Sequence, residues 1–211
     1  MAPDGELTER TREPGEITAA DLVRYSPHQV DLGPGEAQTV RIQLRKPEAL
    51  PDGEYRSHLV FAGVPPALPP PAPGDASETG LAITIRPVYG ISIPVIVRHG
   101  ATAGAVTLAE LKFRTSADDP DTPELDLNLV RKGNRSLMGD LEVSVASGTA
   151  LKQGTVVARA RGLAVYSTLP ARTVALLLSE KTRTFSTGRL KVTYHPADFK
   201  APDQIAYVDV P

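Results

Sequence analysis

Between Ala37 and Arg45 apolar and polar side chains alternate without a break. Val40, Ile42 and Leu44 fall on one face, and Arg41, Gln43 and Arg45 on the other. That period of two is the mark of a strand with one face covered. A Pro51-Asp52-Gly53 turn follows, then a second alternating run, Gly53–Ala62, with Tyr55, Leu59 and Phe61 as its expected inward residues. Upstream, Gly33-Pro34-Gly35 separates these strands from an extended segment, Leu22–Leu32, broken at Pro27. Downstream, Leu81–Arg98 reads as one long β segment with breaks at Pro87 and Gly90. Leu81, Ile83 and Ile85 alternate with Ala82, Thr84 and Arg86, and Ile91–Val97 is so uniformly apolar that it is expected to be buried on both sides. The proline-dense stretch Gly63–Gly80 cannot supply ladder N–H groups and reads as an extended loop. Helical periodicity is weak throughout. Thr18 is expected to cap a single turn in TAADLVRY, and the residues before Asp21 read as a loop or frayed arm.

After the RHGATAG stretch the pattern restarts. Ala105–Arg114, Glu124–Arg131, Leu137–Ala146, Thr155–Ala160, Leu163–Leu178 (one or two strands), Arg189–His195 and Gln204–Val210 are strand candidates. RKGNRS reads as a Gly-Asn turn joining two of them as an antiparallel pair. Their number and spacing suit an immunoglobulin-like sandwich of roughly 100 residues. The expected fold is therefore all-β, with two immunoglobulin-like β-sandwich domains over residues 1–100 and 101–211, the first incomplete. The first half yields only about five strand segments where a sandwich needs about seven. Its opening strands are expected to lie upstream of Met1.

Composition narrows the chemistry. The chain has 211 residues, is 41% hydrophobic and carries a net charge of -2, which gives nucleic acid and anionic lipid nothing to attract. There is no cysteine, hence no disulfide, thiolate ligand or thiol nucleophile. No apolar run is long enough to span a membrane as a helix, and MAPDGELTER has neither the basic nor the apolar region of a signal peptide. His28, His58, His99 and His195 are not at metal-ligand spacing, and the acidic run Asp118–Asn128 lacks the calcium-loop pattern and reads as a solvated connection. No nucleophile elbow or phosphate-binding loop is present. An enzyme is not expected, nor a metal or other cofactor.

The remaining candidate is Leu81–Ile85. Three large aliphatics alternate just after the proline loop, at the start of a strand expected at or near a sheet edge. They either fill their own core or pair, by main-chain hydrogen bonds and alternate side chains, with a strand of another protein. LVRYSPHQVDLGPGEAQTVRIQL, LPDGEYRSHLVF and VYGISIPVIVR together resemble the first domain of the PapD-like periplasmic chaperones of pilus assembly. The pattern is carried by Pro27, Pro34-Gly35-Glu36, Gln38, Arg41, Leu50–Phe61 and Ile91–Arg98, and the second half resembles that family's second domain less specifically. The resemblance implies a chaperone that binds a pilus or fimbrial subunit by donating a β-strand to its open groove, and delivers it to an outer-membrane usher in the periplasm. Leu81, Ile83 and Ile85 are the donors it implies, with Arg86 and Arg98 as basic residues for the subunit's carboxylate. The family's usual lysine position falls at Pro94, and its first-strand arginine has no counterpart in this chain. The alternative is a structural or adhesive two-domain immunoglobulin-like protein that keeps those aliphatics inside. Without its opening strands the first domain is expected to be aggregation-prone, self-associated through the open sheet edge, or disordered.

Overall fold

The computed structural model describes residues 2–6, 11–65, 87–185, 187–198 and 201–210. The protein is all-β, built from antiparallel sheets. Contacts divide it into two compact units: residues 1–16, 49–54 and 98–211, and residues 17–48 and 55–97.

The larger unit is a sandwich of seven strands, β5 (Gly104–Thr115), β6 (Pro123–Gly133), β7 (Leu137–Ser147), β8 (Val156–Val165), β9 (Ala171–Leu177), β10 (Gly188–Pro196) and β11 (Gln204–Val210). Three of them form a sheet in the order β5-β6-β9, and the other four a sheet in the order β11-β10-β7-β8. Alternation explains the core. Leu125, Leu127 and Leu129 from β6 face Leu141, Val143 and Val145 from β7 and Leu190, Val192 and Tyr194 from β10, all buried. Of the intervening residues, β6 places Asp126 and Asn128 beside Arg114 and Glu110 of β5. The Arg131 guanidinium donates to the carbonyls of Tyr166, Ser167 and Leu169 at 3.1, 2.8 and 2.9 Å, which fastens the β8–β9 connection.

Two local expectations change here. The Gly133-Asn134 turn does not close a hairpin, because β6 and β7 lie in different sheets and the turn carries the chain across the sandwich. Its chemistry serves another contact: Asn134 accepts from Ala103 N–H at 2.9 Å and donates to the Ala101 carbonyl at 3.0 Å. Asp52 accepts from Ala101 N–H at 2.9 Å, a further bond that holds the 101–103 segment within this unit. Residues near the start are not a loose arm throughout, since the Pro3 carbonyl accepts a 2.8 Å bond from Thr173 N–H on β9.

Tyr194 is the largest fully buried side chain, and its hydroxyl donates to the Leu163 carbonyl at 3.4 Å. Burial pushes its phenol from 10.0 up to about 12, with Asp140 adding to the rise and Arg172 opposing it. Below pH 10 the phenol is protonated whether the chain is folded or not, and its contribution is fully present. Between pH 10 and about 12 the unfolded chain ionises first, so stability falls by roughly 2–3 kcal/mol across that window. Denaturant titrations at stepped pH should show this loss. Tyr194→Phe should remove most of it.

The smaller unit begins with one helical turn, α1 (Ala19–Leu22). Asp21 Oδ2 accepts from Thr18 N–H at 2.8 Å and from Thr18 Oγ1 at 3.2 Å, as the capping reading expects. Two two-stranded sheets follow: β1 (Val23–Ser26) with β2 (Arg41–Leu44), and β3 (Gly53–Ala62) with β4 (Gly90–His99). The Gly53–Glu54 and Arg98–His99 ends of β3 and β4 belong to the larger unit. The Ser26–Pro27 bond, just after β1, is cis.

Candidate binding surface

The smaller unit buries little. Among its described residues only Ala19, Leu22 and Val97 are buried apolar side chains. Among the described residues its four strands form two ribbons, each strand with one sheet partner, which gives their apolar side chains little to pack against. The β1–β2 register pairs Val23 with Leu44 and Tyr25 with Ile42, which sets these four on one face of the ribbon. Ile42 and Leu44 are nevertheless 53% and 49% exposed.

β4 departs most from expectation. Its apolar run is not covered on both sides. Along the row Ile91, Ile93, Val95 and Val97, exposure falls from 68% at Ile91 to 8% at Val97, so the strand leaves the core toward its N-terminal end. On β3, Tyr55 and Leu59 are half-buried as expected, whereas Phe61 and its neighbour Val60 are exposed. Apolar composition alone could not distinguish a strand covered twice from one that lacks neighbours.

Val23, Tyr25 and Ile42 from one ribbon and Ser57, His58, Leu59 and Val95 from the other, with Ala20, line a shallow cavity of about 80 Å³. That is room for little more than a few waters, and its lining is mainly apolar with one imidazole. It is far smaller than the pockets that take small-molecule ligands. No group of histidine, aspartate and glutamate able to hold a metal occurs among the described residues.

Of the residues singled out from sequence, Leu81, Ile83, Ile85 and Arg86 lie outside the described residues. Arg98 lies on β4, and its Nε donates to Glu54 Oε2 on β3 at 3.0 Å. The Glu54 side chain is fully buried while Arg98 is half-exposed, so Arg98 neutralises a carboxylate of its own chain. Its charge is committed before any partner arrives. The acidic run resolves into a turn in which Asp119 accepts from Asp121 N–H at 3.0 Å and the Thr122 hydroxyl at 2.7 Å, bonds that hold its carboxyl below the usual range. His195 pairs with Asp203 at 2.9 Å on the larger unit, and His28 stacks edge-on against Tyr25.

No family model, curated protein or solved structure matches this chain.

Proposed function

We propose that this protein binds other polypeptides by strand complementation, in the manner of a PapD-like periplasmic chaperone. Its ligand is a pilus or fimbrial subunit whose open groove takes Leu81, Ile83 and Ile85, and an outer-membrane usher receives the complex. The reading rests on the resemblance over Ser26–Arg98. The observation that supports it best is the open state of the smaller unit. Its ribbons carry apolar rows at the surface, and β4, which continues the proposed donor segment, has among the described residues only β3 beside it in its sheet. A strand set beside β4 gains main-chain hydrogen bonds except at Pro94, which has no N–H, and lays every second side chain along an apolar row. Since Arg98 is held by Glu54, recognition of a subunit carboxylate falls to Arg86.

The test is co-expression with a pilus subunit of the same organism, followed by affinity purification through this chain. Ile83→Asp with Ile85→Asp should reduce co-purified subunit by at least about tenfold, since each change places a charge where a groove expects an aliphatic side chain. Far-UV circular dichroism and the unfolding transition of the larger unit should stay as in the parent. Undiminished recovery of subunit would favour the structural or adhesive alternative, in which those aliphatics serve their own domain.

A further inference from the structure

The β1–β2 ribbon has a second face. Register pairs Arg24 with Gln43 and Ser26 with Arg41, and Arg45 follows on the same side by alternation. Arg24, Arg41 and Arg45 thus share one polar surface, opposite the row of Val23, Tyr25, Ile42 and Leu44. None of the three arginines meets a carboxylate among the described residues. Arg24 donates to the carbonyls of Asp21 and Val23 at 3.3 and 2.8 Å, and Arg45 to Gln43 Oε1 at 3.4 Å. Every residue of β2 is exposed, and among the described residues its only sheet partner is β1. Among the described residues, then, an unpaired edge runs between an exposed apolar row and a basic row that meets no carboxylate.

We propose that this edge, Arg41–Leu44, accepts an extended segment of a partner protein in which apolar residues alternate with aspartate or glutamate. Antiparallel pairing on β2 sets every second partner side chain over Ile42 and Leu44, extending the apolar row across the ribbon. The intervening side chains lie beside Arg41 and Arg45, where a carboxylate gains a charge-assisted hydrogen bond and a lysine meets like charge. A second copy of this chain fits the edge poorly. Pairing β2 with itself brings Arg41 and Arg45 of both chains onto one surface with no acid between them. The proposal concerns an acceptor edge on β2 and does not rest on strand donation by Leu81–Ile85.

Two synthetic probes decide it, each about eight residues long, blocked at both ends and alternating valine with either glutamate or lysine. At low salt the valine–glutamate peptide should bind the full chain about tenfold more tightly than the valine–lysine peptide, and the preference should shrink as salt is raised. It should slow hydrogen exchange at the amides of Arg41–Leu44. In Arg41→Glu with Arg45→Glu the preference should reverse, while Arg41→Lys with Arg45→Lys should retain it. These are exposed positions, and hydrogen exchange at the β1 amides without peptide, unchanged from the parent, reports that the ribbon persists in each variant. Equal binding of both peptides, binding of neither, or protection of β2 that grows with protein concentration in the absence of peptide would each overturn the proposal.

Discussion

Leu127→Ala should lower the unfolding free energy of the larger unit by about 2–5 kcal/mol, whereas Ile93→Ala should change stability by less than about 1 kcal/mol. Both substitutions delete the same kind of aliphatic bulk from a strand. Leu127 is 1% exposed at the centre of β6, flanked by Leu125 and Leu129 and faced by the apolar rows of β7 and β10. Its removal leaves a cavity that a sandwich with sheets about 10 Å apart cannot close without moving a strand. Ile93 is 48% exposed, so much of the surface its side chain offers already meets water in the folded state. Chemical denaturation followed by a probe in each unit measures the contrast. Similar losses for the two variants would mean that the smaller unit has a core of its own.

The sequence made the larger unit's strands legible because each covers one face and wets the other. β6 and β7 show this in Leu125, Leu127, Leu129 and Leu141, Val143, Val145, whose alternation survives in the burial pattern residue for residue. Strand partners were not legible. The Gly133-Asn134 pair has the local chemistry of a hairpin, yet β6 pairs with β5 and β9, and the side chain of Asn134 holds residues 101–103 instead. Local turn propensity sets a reversal of direction but does not choose the sheet the chain enters next.

The smaller unit was legible for the opposite reason. Its strand segments are fewer than a sandwich needs, and among the described residues Ile42, Leu44 and Phe61 stand exposed. Less visible was where that shortage falls hardest, on the N-terminal end of β4, because an all-apolar run has no alternation to show which side is covered. Arg98 teaches the same lesson about charge. Its presence near the end of β4 was plain, but the buried Glu54 that occupies it lies 44 positions away. Pairing at such a distance is a property of the fold and not of any local pattern.

The exposed row on β4 carries the second large effect. The purified chain should bind a hydrophobic dye in its native state and self-associate at micromolar concentration, through Ile91 and Ile93 rather than through the basic edge of β2. Both isoleucines stand on one face of the strand and lead toward Val95 and Val97, so a second molecule can extend that row without meeting a charge on the same face. Burying one such side chain contributes about 1.5–3 kcal/mol. Removing one contact should therefore weaken association by about tenfold or more. Ile91→Asp with Ile93→Asp should shift sedimentation velocity profiles to the monomer and cut dye fluorescence several-fold, and both side chains already stand largely in water, so folding should survive. Pro94 sharpens the distinction between face and edge. It has no N–H to offer a new neighbour, which weakens the backbone edge of β4 as a docking rail and leaves its side-chain face as the sticky surface. If the double variant sediments as the parent does, the apolar row of β4 is not where copies meet.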